Sequence, residues 1–138
     1  LIVVPESTTI DDAAPMMAVL EAAGEAGVDI VPIVFDRFFT EFPETRALFP
    51  HVEAAAGRMV NETLEAMMGL ADGAWWVKTT VVNFVDLHRN YGAIPMVQWT
   101  AWIDMTVDAL VEAAGEGGAD GEPAWRRQAE RMKDMIEA

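Results

Sequence analysis

Cysteine is missing from the 138 residues. Disulfides, thiolate metal sites and thiol nucleophiles are therefore excluded. Basic side chains are scarce: nine Lys and Arg stand against 23 Asp and Glu, a formal net charge of -14. A surface of that sign repels phosphate backbones and anionic headgroups, so neither nucleic acid nor a membrane is expected as a partner. Long apolar runs are also lacking. Leu1-Ile2-Val3-Val4 stops at Pro5 with no basic residue before it. No membrane span or signal peptide is recognisable, and a cytoplasmic protein is expected. Strand signals are weak, since no stretch alternates apolar and polar residues for long and no Asn-Gly or Asp-Gly turn joins two such runs.

What is present is a core. Apolar and aromatic residues make up 52% of the chain, too many for a disordered acidic tail. The length suits one domain that buries roughly 70% of its unfolded surface. Helical spacing recurs along it. Asp11-Asp12 can cap a helix running to about Gly24, with Pro15 in its first turn. Val28 to about Phe42 reads as a second helix, with Val31, Val34, Phe35, Phe38, Phe39 and Phe42 on a broad apolar face. Pro32 must lie near its start or bend it. Pro43 to Phe49 reads as a single tight turn of helix.

Glu53 to about Leu70 follows, with Ala56, Val60, Leu64 and Met67 on one face. Asp72-Gly73 interrupts. Ala74 to about Asn90 carries Val81, Phe84, Val85 and His88 on one face. Tyr91-Gly92 ends it, and Pro95 opens a helix to about Ala114. Gly115 to Gly121, rich in Gly and acid, reads as a flexible loop. Pro123 opens a last helix with Trp125, Met132, Met135 and Ile136 as apolar positions. The expected fold class is all-α, a single domain over 1–138 with six long helices and one short one.

Chemistry is confined to few places. There are two histidines, and His51 follows Phe49-Pro50 in a polar stretch. His88 sits on an apolar helix face, one turn beyond Phe84 and two beyond Val81. A ring nitrogen there needs a hydrogen-bond partner or a metal. The plain reading is a core histidine bonded to a carbonyl or to Gln98. No second His and no carboxylate on that face completes a zinc or di-iron set. If His88 binds a metal, it does so alone on the protein side and a macrocycle supplies the rest, which is haem ligation.

Two segments carry a resemblance. Phe38-Phe39-Thr40-Glu41-Phe42-Pro43-Glu44-Thr45-Arg46-Ala47-Leu48-Phe49-Pro50 resembles the stretch between the second helix and the haem-facing phenylalanine of bacterial single-domain globins. His88-Arg89-Asn90-Tyr91-Gly92-Ala93-Ile94-Pro95 resembles their proximal-histidine segment. The order and spacing of helices resemble that family along nearly the whole chain. The resemblance implies a globin-like fold around a haem slot, with haem b as cofactor and His88 as the iron ligand. Phe49 matches the phenylalanine lying flat on the porphyrin, and Pro43 the proline that opens the short third helix. Phe35 falls at the second-helix position pointing at bound gas. Ala56 falls at the usual distal polar position and Val60 over the iron.

In this picture Ala56, Val60 and Leu64 form one wall of the slot, and Val81, Phe84, Val85 and His88 the other. The ring nitrogen of His88 away from the iron would bond to the Phe84 carbonyl or to Gln98. Relatives often place a Tyr backed by a Glu where Gln98 stands, and its loss weakens a peroxidase-like role. Arg58, Lys78 and Arg89 are candidate propionate partners, and Met59 a remote sixth ligand.

The distal set departs from the family, for Phe35, Ala56 and Val60 replace the usual Tyr, Gln or His. A donor to bound O₂ is worth about 1–3 kcal/mol, roughly 5- to 150-fold in affinity. Its absence implies poor discrimination for O₂ over CO, fast release and easy oxidation. The function so implied is reversible binding of a diatomic gas, O₂, CO or NO, at a five-coordinate or weakly six-coordinate iron, with sensing favoured over storage. The alternative is a haem-free regulatory domain of the same fold acting through helix–helix contacts. Nitric oxide dioxygenation or weak peroxidation would need a separate reductase as electron source, and distal acid–base groups are not evident.

Overall fold

The computed structural model describes residues 11–49, 52–88 and 94–137, and they form an all-α arrangement. The helices are α1 (Ala13–Ala26), α2 (Ile30–Glu41), α3 (Val52–Asp72), α4 (Val77–His88), α5 (Met96–Ala114) and α6 (Glu122–Glu137). Two 3-10 helices, Pro43–Leu48 and Gly115–Gly118, follow α2 and α5. Among the described residues no helix is long and apolar enough to cross a membrane.

Local chemistry explains the boundaries. The Asp29 carboxylate accepts the Val31 N–H at 3.0 Å and starts α2, so Pro32 falls in the first turn, where a missing N–H costs no helical bond. Pro43 then opens the first 3-10 helix. Gly73 ends α3 with φ at +69°, a conformation that any side chain would strain. Asp11 caps α1 by accepting the Ala13 N–H at 3.1 Å. Asp12 does not share that task. It is buried, and its carboxylate reaches α6 to accept from Arg127 and Gln128.

The long helix α5 is the spine. Its buried Trp102, Ile103, Thr106, Val107 and Leu110 face α1 and α2 on one side and α6 on the other. The helix α3 packs across α1, α2 and α6 through Val60, Thr63, Ala66, Met67 and Leu70. The helix α4 rests on α3 and α6. The indole N–H of Trp125, fully buried in α6, donates to the Met16 carbonyl at 3.2 Å and ties the last helix to the first.

One expectation is corrected. The run from Gly115 to Gly121 is not a flexible loop. Gly115–Gly118 is a 3-10 helix packed on α1 and α5, and Gly118 and Gly121 are buried. A Cβ on Gly121 would collide with the Val19 side chain and the Pro15 carbonyl. The glycines here admit close helix contact rather than motion.

Candidate functional site

The helix α4 presents one apolar stripe to the interior. Val77 and Val81 are buried, and Phe84, Val85 and His88 are half-buried beyond them, while Val82 and Leu87 face outward. His88 is its last residue. Nδ1 of His88 lies 2.7 Å from the Phe84 carbonyl oxygen. A carbonyl only accepts, so Nδ1 is the donor in this contact. That bond fixes the orientation of the ring. The Trp99 ring stands edge-on to the imidazole, 5.1 Å between centroids. Of the two acceptors expected for this ring, the carbonyl is the one bound. The Gln98 side chain instead donates to Glu44 at 3.3 Å, linking α5 to the first 3-10 helix.

A second group of side chains gathers where α2, α5 and the first 3-10 helix meet. Phe35 is buried, with its ring 5.6 Å from both Phe39 and Phe49 and 5.0 Å from Trp102. Phe49 is half-buried and lies 5.5 Å from Phe39. Phe35 and Phe49, two residues expected to line the haem slot, are therefore brought together from separate segments. Phe38 joins the cluster 5.5 Å from Trp102. The Arg46 guanidinium covers the outer side at 5.2 Å from the Phe39 ring centre, a cation–π contact.

The α3 wall is mixed. Val60 is fully buried. Leu64 is half-buried and lines an open groove of about 480 Å³ with Met17, Leu20, Met68 and Trp76, so it leans toward α1. The Ala56 side chain lies outside the described residues, as do His51 and Arg89. Met59 is half-buried. The exposed Arg58 pairs with Glu62 at 3.5 Å, and Lys78 is exposed. The adjacent tryptophans face opposite ways. Trp75 is 89% exposed, whereas Trp76 packs where a Cβ on Gly69 would stand.

Two residues beside this site are not singled out by the sequence reading. Trp102, 7% exposed, donates its indole N–H to the Thr63 hydroxyl at 2.9 Å. The Thr63 hydroxyl donates in turn to the Met59 carbonyl at 2.8 Å. The signal for Thr63 was available: it lies three residues after Val60, on the same helix face.

Among the described residues no group of three or more His, Cys, Asp or Glu side chains converges as a metal site. A single imidazole beside apolar and aromatic walls suits a metal that arrives with its other ligands. No family model, no curated protein and no solved structure matches this chain.

Proposed function

We propose that the chain is a globin-like protein that binds haem b between α3 and α4, with His88 as the protein's iron ligand, and reversibly binds a diatomic gas. The observation that carries this reading is the His88 ring. A carbonyl acceptor at 2.7 Å holds it by Nδ1 at the end of the apolar stripe of α4, so that Nε2 is the nitrogen that would ligate a metal. Further support comes from the Phe35–Phe49 pair, brought together from separate segments, and from a fully buried Val60 on α3, a helix on which α4 rests.

Haem would supply an iron with one coordination position open to gas. The protein's part is to hold and to exclude. His88 would anchor the iron, with Trp99 against its ring limiting rotation. Phe49 would pack on the macrocycle, and Val60 and Phe35 would keep water from the far side. Neither Phe35 nor Val60 can donate a hydrogen bond, so the site would favour CO or NO over tight O₂ storage. Arg58 and Lys78 would face solvent at the propionate edge. Arg58 is already paired with Glu62, which makes it the weaker partner of the two.

The test is an absorbance spectrum of the purified protein before and after haemin, then reduced and exposed to CO. A Soret band that shifts with CO at one haem per chain is the expected result. No Soret band and no haem uptake would leave the all-α fold in place and transfer the function to the haem-free regulatory alternative.

A further inference from the structure

The buried face of α3 that carries Val60 also carries Thr63, about 60° away around the helix axis. Thr63 is 4% exposed. A hydroxyl has one proton and two lone pairs. The proton of Thr63 is committed to the Met59 carbonyl, which cannot donate, so the hydroxyl meets Trp102 as an acceptor. The indole N–H is the one polar hydrogen that the side chains of the aromatic cluster possess, the other members being phenylalanines. The Trp102 ring stands 5.0 Å from Phe35, the residue that would face the gas on the proposed reading. Among the described residues no buried side-chain nitrogen or oxygen lacks a partner.

We infer that Thr63 is a positioning residue for gas selectivity: it captures the Trp102 N–H and so keeps a donor away from the gas site. This rests on the proposed haem reading and deepens it. The apolar distal side is then not a matter of composition alone. A strong donor stands next to it, and a single hydroxyl holds that donor turned aside. Replacing Thr63 by Val keeps the shape and removes the acceptor. The N–H then has no protein partner, and an unpaired buried donor seeks any acceptor within reach. Dioxygen, which takes on negative charge when bound, is such an acceptor, and CO is a weaker one.

The experiment compares wild type, Thr63→Val, Thr63→Ser, Trp102→Phe and the Thr63→Val/Trp102→Phe double variant. After haemin loading, the CO stretching frequency and the O₂ dissociation rate are measured. The expected result is a lower CO frequency and an O₂ release about tenfold slower in Thr63→Val only. Thr63→Ser, Trp102→Phe and the double variant should match wild type, because each lacks a free N–H. Unchanged frequency and rate in a haem-loaded Thr63→Val would overturn the inference and leave Thr63 a structural partner of Trp102. A changed frequency in Trp102→Phe would overturn it too, even if Thr63→Val fails to fold, since a captured N–H cannot reach the gas.

A second readout uses haem-free protein. The Trp102 indole proton should resist hydrogen exchange in wild type and exchange faster in Thr63→Val. An unprotected indole in wild type would remove the basis of the argument. A wild type with a protected indole but no haem uptake would mark failure of the haem reading itself, and the selectivity role would fall with it.

Discussion

The imidazole of His88 and the backbone of Phe84 are joined one helical turn apart, Nδ1 to carbonyl oxygen at 2.7 Å. The bond orients a ring nitrogen without using another side chain. On the proposed reading, His88→Ala should abolish tight haem retention while the helical content stays unchanged. Pyridine haemochrome titration after gel filtration, with circular dichroism alongside, measures both. Full retention in the variant would mean that a different side chain holds the iron.

Phe35 fills the space between Phe39, Phe49 and Trp102. Phe35→Tyr adds one hydroxyl to a buried ring. If that ring edge faces the gas, O₂ release should slow by roughly 5- to 150-fold, the range for one added hydrogen bond of about 1–3 kcal/mol. Stopped-flow displacement by CO gives the rate. A Tyr variant that binds haem and releases O₂ at the wild-type rate would show that the ring edge points elsewhere.

Asp12 is held below its ordinary carboxylate value, chiefly by the Arg127 guanidinium that donates to it, with Gln128 adding a further hydrogen bond. Burial acts the other way but does not prevail. A depressed native pKa means that the contribution is complete above the unfolded-state value. It is lost as the pH falls through the lower native value. Asp12→Ala should cost about 1–3 kcal/mol at neutral pH, because buried Gln128 loses its acceptor. The gap between variant and wild type should shrink as the pH drops below about 4. Urea unfolding at pH 7 and pH 3 measures it, and a gap that grows toward acid would contradict the assignment.

Gly121→Ala should destabilise the fold by about 1–3 kcal/mol through overpacking against Val19 and Pro15. Gly117→Ala makes a useful comparison, since its Cβ would meet only the Ala22 side chain. Thermal unfolding of the two variants should rank Gly121→Ala as the more damaged. The reverse order would mean that the segment yields as a loop would.

Helices were legible because their signals are local. Asp29 caps where an acid precedes an apolar run, Pro43 opens a turn, and the Val81–Phe84–Val85–His88 stripe shows in its spacing alone. The site was legible in part for the same reason. The Phe84 carbonyl is one turn from His88 in any helix, so it could be named as an acceptor from the sequence. What stayed hidden depends on distance along the chain. Asp12 looks like a helix cap, and only its contact with residues 127 and 128 shows otherwise. The partner of Thr63 lies 39 residues away. The Gly-rich acidic run has the composition of a loop, and its burial is set by α1, which folds back against it.

The joint between α1 and α6 has a consequence for how the chain is made. Trp125 donates to Met16 across 109 residues, and Asp12 takes Arg127 across 115. During synthesis the first helix emerges long before its partner exists, at about 5–20 residues per second. Its apolar face has α3 for early company, but its main partner α5 and its anchor on α6 appear only later. Contacts of such long sequence separation form late and slow the search for the native state. Until α5 and α6 follow, the Met16–Val19–Ala23 stripe lacks most of its native cover. The strong acidity of the chain offers protection in that interval, since like-charged nascent chains repel one another before that stripe is covered.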